Sequence, residues 1–280
     1  RPLGRNWVAL AAGLVAVLLL LASPASALNE LPSGYLKTNK SNIVDANGRE
    51  VRILGVNWFG FETPNMVVHG LWARPWRLML DQISSLGFNT VRLPFSSAIL
   101  TAGPESVSAI LYRLNPDLQG KTPMEILDMI IAYAGSKGLK IILDNHSLQP
   151  TTNGESNGYW FSSTRSEAQW IADWQTLARR YANNPTVIGA DLYNEPTGTW
   201  GTGDQDDWAR AAKAAGDAIG AVTHACASSR GHGKTRRSPA STRSRTIAYG
   251  VCTVPGPAQG STPTPRSAQK SAGPSISRAS

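Results

Sequence analysis

Between residues 43 and 222, short apolar runs alternate with stretches whose apolar residues recur every three or four positions. Runs of the first kind predict strands, and stretches of the second kind predict helices that bury one face. Ile43-Val44 and Val51-Arg52-Ile53 flank Asn47-Gly48. That pair suits the positive φ angles of a tight turn, so a hairpin is predicted, its second strand running on to Asn57. Pro75 opens a helix with Trp76, Met79, Leu80, Ile83 and Leu86 inward, and Gly87 closes it. Residues 90–93 predict a strand ended by Pro94. Thr122-Pro123-Met124-Glu125 is a capping box with proline at the first helical position. Its helix turns Ile126, Leu127, Ile130, Tyr133 and Ala134 inward and stops at Gly138, before a strand at 140–143. Thr164 and Glu167 predict a second capping box, for a helix showing Trp170, Trp174, Leu177, Ala178 and Tyr181 on one face. Asn184-Pro185 ends it, and a strand follows at 186–193. Asp204, Asp206 and Asp207 favour a helix start through the macrodipole, and Trp208, Ala212, Ala215, Ile219 and Val222 continue that helix.

The strands are continuous rather than alternating, and a helix follows each. This predicts a parallel α/β architecture with four βα units. An open doubly wound sheet and a closed barrel both fit the pattern.

Composition changes the picture at both ends. Arg1 and Arg5 precede an apolar run from Trp7 to Ala22, and Ala25 and Ala27 then sit at the small-residue positions of a cleavage site. Residues 1–27 are therefore expected to be a signal peptide, with the mature chain starting at Leu28 and the protein secreted, extracellular and free of the membrane after cleavage. The alternative is a membrane anchor, but the run is short and no basic stop-transfer cluster follows. The formal charge of +8 suggests nucleic acid, and its distribution argues otherwise. All 19 acidic residues lie at or before Asp217, whereas nine basic residues lie from Arg230 onward. With those nine and the two of the leading segment set aside, 16 basic residues face 19 acidic ones, so the globular part is mildly acidic. Residues 224–280 have no Leu, Phe, Trp, Met, Asp or Glu, and Tyr249 is their only aromatic residue. This low-complexity basic tail is expected to be disordered or read out of frame, and nucleic-acid binding through it is a weak alternative. Cys226 and Cys252, the only cysteines, lie there and receive no role.

Chemistry collects where the predicted strands end: Asn57-Trp58, Arg92, Asp144-Asn145-His146 and Asn194-Glu195-Pro196. In a barrel those ends face one common site, so Arg92, His146, Asn194 and Glu195 would converge from distant parts of the chain. Each has a plainer reading, such as a structural ion pair for Arg92 or a strand cap for His146. None of the four histidines has zinc-type spacing to another within a folded segment, so no metal site is expected, and no cofactor.

The runs GVNWFGFET (55–63), NTVRLPFS (89–96), GLKIILDNH (138–146) and NPTVIGADLYNEP (184–196) resemble the cellulases of glycoside hydrolase family five, especially bacterial endoglucanases. VVHGLW, MLDQISSLG and NPDLQG add to the resemblance, which runs from about residue 35 to 222. It implies a (β/α)8 TIM-barrel fold, of which 28–223 would hold about the first four βα units. It implies β-1,4-glucan hydrolysis by a retaining mechanism, a β-glucan polysaccharide as partner, and a monomer if complete. It makes Glu195 the acid/base, with Asn194 on the sugar 2-hydroxyl, Arg92 orienting the nucleophile's carboxylate, and His146 lining the subsite at the cut. Trp58 would be a sugar-stacking or subsite-lining aromatic, and His69, within VVHGLW, joins the substrate-binding set. Retaining chemistry needs a second carboxylate about 5–5.5 Å from the first. In the family that nucleophile is a Glu ending the seventh strand, yet no Glu follows Glu195 and no Asp follows Asp217. The chain as given is therefore expected to be inactive. A β-mannanase of the same family and a non-catalytic carbohydrate-binding remnant are the alternatives.

Overall fold

The structure, a computed structural model, describes residues 31–32, 36–152, 158–223 and 249–250. The expected signal peptide lies outside them, as does all of the expected tail except 249–250.

An N-terminal antiparallel pair comes first, β1 (Lys37–Asn39) on β2 (Asn42–Val44). The sequence reading missed β1, which is exposed and polar and carries no apolar pattern. The expected hairpin around Asn47-Gly48 forms only in part: Val44 bridges Glu50, Val51 N–H donates to the Ile43 carbonyl at 2.8 Å, and the Asp45 carboxylate accepts from the Asn47 and Arg49 amides at 2.9 Å each, but residues 51–54 are not strand, and strand pairing resumes only at Gly55.

The main sheet is built from β3 (Gly55–Asn57), β4 (Thr90–Ser96), β5 (Lys140–Ser147) and β6 (Val187–Asp191), all parallel and paired in sequence order. A two-residue strand β7 (Tyr249–Gly250) pairs antiparallel with β6. Four helices follow the parallel strands in turn: α1 (Trp76–Ser85), α2 (Pro123–Ser136), α3 (Glu167–Tyr181) and α4 (Trp208–Thr223). An open doubly wound sheet reverses its strand order partway. No reversal occurs among these four strands, and right-handed crossovers that always step the same way put every helix on one face. That is the winding of a barrel.

The two faces differ accordingly. Val91, Leu93, Ile141 and Leu143 point outward into the main core with Leu80, Ile126, Leu127, Ile130, Trp170 and Trp174 of the helices. Ile142 and Ile188 instead form a small second cluster with Leu31, Leu36, Ile43, Val51 and Ile53, so the hairpin covers one end of the inner face.

Helix starts show where local pattern sufficed. The capping box at Thr122 and Glu125 forms as expected. The box expected at Thr164 and Glu167 does not; Ser166 and Gln169 make it two residues later. Both spacings fit the rule, and tertiary contacts chose between them. The Glu167 carboxylate is taken by the Trp160 indole N–H at 2.8 Å and by Arg210 at 2.6 and 2.7 Å.

Candidate functional site

Parallel pairing in register brings the strand ends together. Asn57 lies beside Arg92, Pro94 beside Asp144, and Asp144 beside Asp191. Arg92 thereby reaches across the sheet. Its guanidinium meets Asp144 Oδ2 at 2.9 Å, Asp191 Oδ2 at 2.7 and 3.0 Å, and Asn194 Oδ1 at 3.1 Å. Among the described residues these are the partners of Arg92, so its first duty is to join the ends of β5 and β6 and to orient the Asn194 amide. His146 Nδ1–H donates to the same Asp144 Oδ2 at 2.6 Å, leaving Nε2 as the free end of the ring. Asp144 Oδ1 is buried with no hydrogen-bond partner among the described residues.

Asp144 is fully buried, and burial pushes its carboxyl up to about 6, against the opposing pulls of His146 and Arg92. His146 is raised above its usual value: burial lowers it, but the Asp144 hydrogen bond and charge and the Glu62 charge outweigh that. The consequence for stability has a definite sign. An acid whose folded pKa exceeds its unfolded value costs stability as pH rises between the two, from about 4 to about 6. A histidine with a raised folded pKa contributes stability below about 6.5 that is lost as pH climbs through its folded pKa. Both run the same way. Urea unfolding of the parent and of Asp144→Asn, compared across pH, should show the parent's relative stability shrinking between about pH 4 and 7. A flat or rising difference would contradict this.

Glu195 follows directly. It takes a φ of +47°, in the left-handed region, immediately before Pro196. For a side chain with a Cβ that conformation costs about 1–2 kcal/mol, and the residue before proline is restricted further. Such strain persists only where the surroundings enforce it. They do so here: Asn194 N–H donates to the Asn145 carbonyl at 3.0 Å. The indoles of Trp170 and Trp174, one turn apart on α3, both donate to the Leu192 carbonyl, at 3.2 and 3.0 Å. Two buried tryptophans thus clamp the chain just before the Asn-Glu pair, and the Glu195 carboxylate is left exposed to solvent.

The loop after β3 forms the other wall. Trp58 is only 6% exposed, and its indole N–H is spent on the His69 carbonyl at 2.9 Å. In this structure it braces the loop and offers little open stacking face. The open aromatic faces belong to neighbours the sequence reading did not single out, Phe59 at 51% and Trp72 at 52% exposure. His69 stands edge-on between them, with ring centroids 4.5 and 5.3 Å away. Its Nε2–H is shared by Asn65 Oδ1 at 2.9 Å and Thr63 Oγ1 at 3.2 Å, and burial lowers its pKa, so it stays neutral. Gly60 makes the loop possible. It has a φ of +139°, and a Cβ there would lie 2.3 Å from the Val67 carbonyl oxygen. Glu62 was also missed. It is 2% exposed, accepts from the Gly60 amide at 2.7 Å, and is raised by burial against the charges of His146 and Arg92. Its one sequence signal was an acid inside an otherwise aromatic run.

Of the expected residues, then, Arg92 holds Asn194 directly and His146 through Asp144, Glu195 follows Asn194 in the chain, and Trp58 and His69 lie in the loop after β3. A family model described as Cellulase (glycosyl hydrolase family 5) matches residues 44–225. An endoglucanase of Paenibacillus polymyxa is 47% identical over 202 residues, which is 70% of this chain and 49% of that protein. The major extracellular endoglucanase of Xanthomonas campestris pv. campestris is 45% identical over 212 residues, 75% of this chain and 42% of that one. The catalytic domain of the Xanthomonas enzyme superposes with a TM-score of 0.62 at 45% identity, over 68% of this chain and 55% of that chain. An endocellulase of Pyrococcus horikoshii in complex with cellotetraose superposes with a TM-score of 0.62 at 37% identity, over 70% and 56% of the two chains. The chain spans about half the length of the curated relatives it matches. Its four parallel strands and their helices are part of a (β/α)8 barrel.

Proposed function

The chain belongs to the cellulase family, glycosyl hydrolase family 5, and from that premise we propose that residues 28–223 supply the acid/base side of a retaining endo-β-1,4-glucanase site. The observation that carries the reading is the Asn194-Glu195 turn: an exposed, left-handed Glu195 directly after Asn194, whose side chain is held by Arg92 in a network with Asp144 and His146 at three parallel strand ends.

The residues support distinct parts of the reaction. A leaving glycosidic oxygen needs a proton, and Glu195 is the carboxyl free to deliver one, since Asp144 and Asp191 are engaged by Arg92. The Asn194 side chain, oriented by its hydrogen bond to Arg92, has its amide N–H left for a sugar hydroxyl near the reacting carbon. The His146 ring is fixed through Nδ1 by Asp144, which leaves Nε2 for a sugar hydroxyl. The ledge of Phe59, His69 and Trp72 suits the flat C–H faces of a glucan chain. The attacking carboxylate is not provided by the 280-residue chain after Asp217, so turnover needs one from outside it. The leading residues 1–27 fit secretion, and the Xanthomonas relative carries the name extracellular. N-terminal sequencing of secreted protein should begin at Leu28. The tail from 224 begins within two residues of the end of the family match, which supports its reading as a segment foreign to the barrel.

Substrate class is tested by completing the barrel. Residues 36–223 joined to the C-terminal half of the Xanthomonas catalytic domain should hydrolyse carboxymethylcellulose and leave mannan largely untouched. Mannan as the preferred substrate would favour the β-mannanase reading. Cellulose binding without any release of reducing sugar by the completed barrel would favour the non-catalytic one.

A further inference from the structure

Resting on the glucan reading above, we infer that Trp200 is a second platform for a β-1,4-glucan chain, presented by the rigid loop that follows Glu195. Six of the eight described tryptophans are buried, and Trp72 belongs to the ledge already described. Trp200 is the most exposed, at 65%. Among the described residues nothing accepts its indole N–H and no ring stacks on it. An indole left in water in this way adds nothing to the core.

An exposed side chain on a loose loop would mean little, but this loop is tied on both sides of Trp200. Thr197 N–H donates to the Gly158 carbonyl at 3.0 Å, and Thr199 N–H donates to the Asp206 carbonyl at 2.7 Å. Gly198 packs so closely that a Cβ would lie 2.0 Å from the Asp206 carbonyl oxygen and 2.9 Å from the Trp160 ring. Trp160 in turn is wholly buried among Phe161, Trp170 and Trp208. On the far side, the buried Asp207 carboxylate accepts from the Gly201 and Gly203 amides at 2.8 Å each, and from Ala209 at 3.0 Å at the start of α4. The backbone before and after Trp200 is therefore anchored to the core and to a helix, and only the indole projects. A group ordered before its ligand arrives loses little freedom on binding.

Two features select the ligand. Exposed polar residues flank the indole along the loop, Thr199, Thr202, Asp204 and Gln205, a setting that suits a hydroxylated ring better than an apolar protein face. Its position is also limited by the chain. It lies five positions after Glu195, so the two Cα atoms are within roughly 18 Å, a few sugar units at most. A single glucan chain could therefore engage the carboxylate and the indole together.

The test uses the 280-residue chain and cellohexaose, followed by titration calorimetry and by tryptophan fluorescence. Trp200→Ala should weaken binding on the order of tenfold and remove much of the fluorescence change, while Trp200→Phe keeps most of the affinity. Because the side chain is exposed, both variants should keep the parent's circular dichroism and unfolding midpoint. If the parent binds cellohexaose and Trp200→Ala binds it equally well, the platform is wrong and the glucan reading stands. If neither binds, the glucan reading fails and this inference falls with it. If maltohexaose binds as tightly and loses as much in Trp200→Ala, the indole is merely adhesive, and the proposed selectivity for the β-linked chain is overturned.

Discussion

Glu195→Gln, placed in the completed barrel, is expected to cut turnover on cellulose about 10²- to 10⁴-fold, the usual worth of a positioned general acid. Glutamine keeps the shape and the hydrogen-bonding reach but has no proton to give to the leaving oxygen. Its φ would be as strained as that of Glu195, so folding should change little. An aryl β-cellobioside separates the two half-reactions. An activated phenolate leaves with little help, so the glycosyl-enzyme should still form. Its hydrolysis needs a base to activate water, and that step should be slow. Added azide, which needs no base, should restore breakdown and yield the glycosyl azide. The 280-residue chain alone should give no turnover on either substrate, because no Glu follows Glu195 and no Asp follows Asp217. Full activity of the Gln variant on cellulose would remove Glu195 from the acid/base role.

The second large effect is on stability. Arg92→Ala should destabilise the fold by about 3–5 kcal/mol near neutral pH, the range found when one partner of a buried ion pair is removed. The reason is what it leaves behind. Asp144 is wholly buried and Asp191 nearly so, and Arg92 bridges both. Without it, Asp144 keeps only His146, while one of its oxygens already lacks a partner among the described residues. Burial raises the Asp144 carboxyl to about 6 even with Arg92 present, and removing the cation raises it further. The cost of the substitution should therefore shrink as pH falls from 7 toward 5, where a proton replaces the guanidinium. Arg92→Ala combined with Asp144→Asn should recover part of the loss at pH 7. Arg92→Lys should fall between, since an ammonium keeps the charge but cannot hold three acceptors in one plane. Denaturant midpoints across pH would decide it, and a loss independent of pH would mean that packing, not charge, is what Arg92 contributes.

Chain order and residue type revealed much of this protein without coordinates. The helices of Trp76, Ile126 and Trp170 announce themselves by spacing, because a helix that buries one face must repeat every three or four residues. The strands of Arg92, Asp144 and Ile188 do so by unbroken apolar runs, because both faces of the sheet are covered. The Asn194-Glu195-Pro196 turn was legible as a strand end bearing a carboxylate. These are local facts, set by propensity and periodicity.

What stayed hidden depends on partners far along the chain. The competing caps at Thr164 and Ser166 have the same local merit, and a distant Arg210 settled the matter by taking Glu167. Trp58, Phe59, Trp72, Trp160 and Trp200 look alike in composition, yet two are buried and three are open to solvent. Asp144 was legible only as part of a strand end, and Asp191 and Glu62 carried no role, since Asp144 and Asp191 acquire theirs from an Arg92 brought beside them by parallel pairing. The left-handed Glu195 likewise follows a Leu192 carbonyl held by Trp170 and Trp174 from a helix about twenty residues earlier. The sequence by itself determined the four βα units, their order and the identity of the reactive groups. Tertiary structure alone decided which groups are buried, which charges meet and which rings remain free, because burial and pairing are properties of neighbours that the chain supplies from up to a hundred residues away.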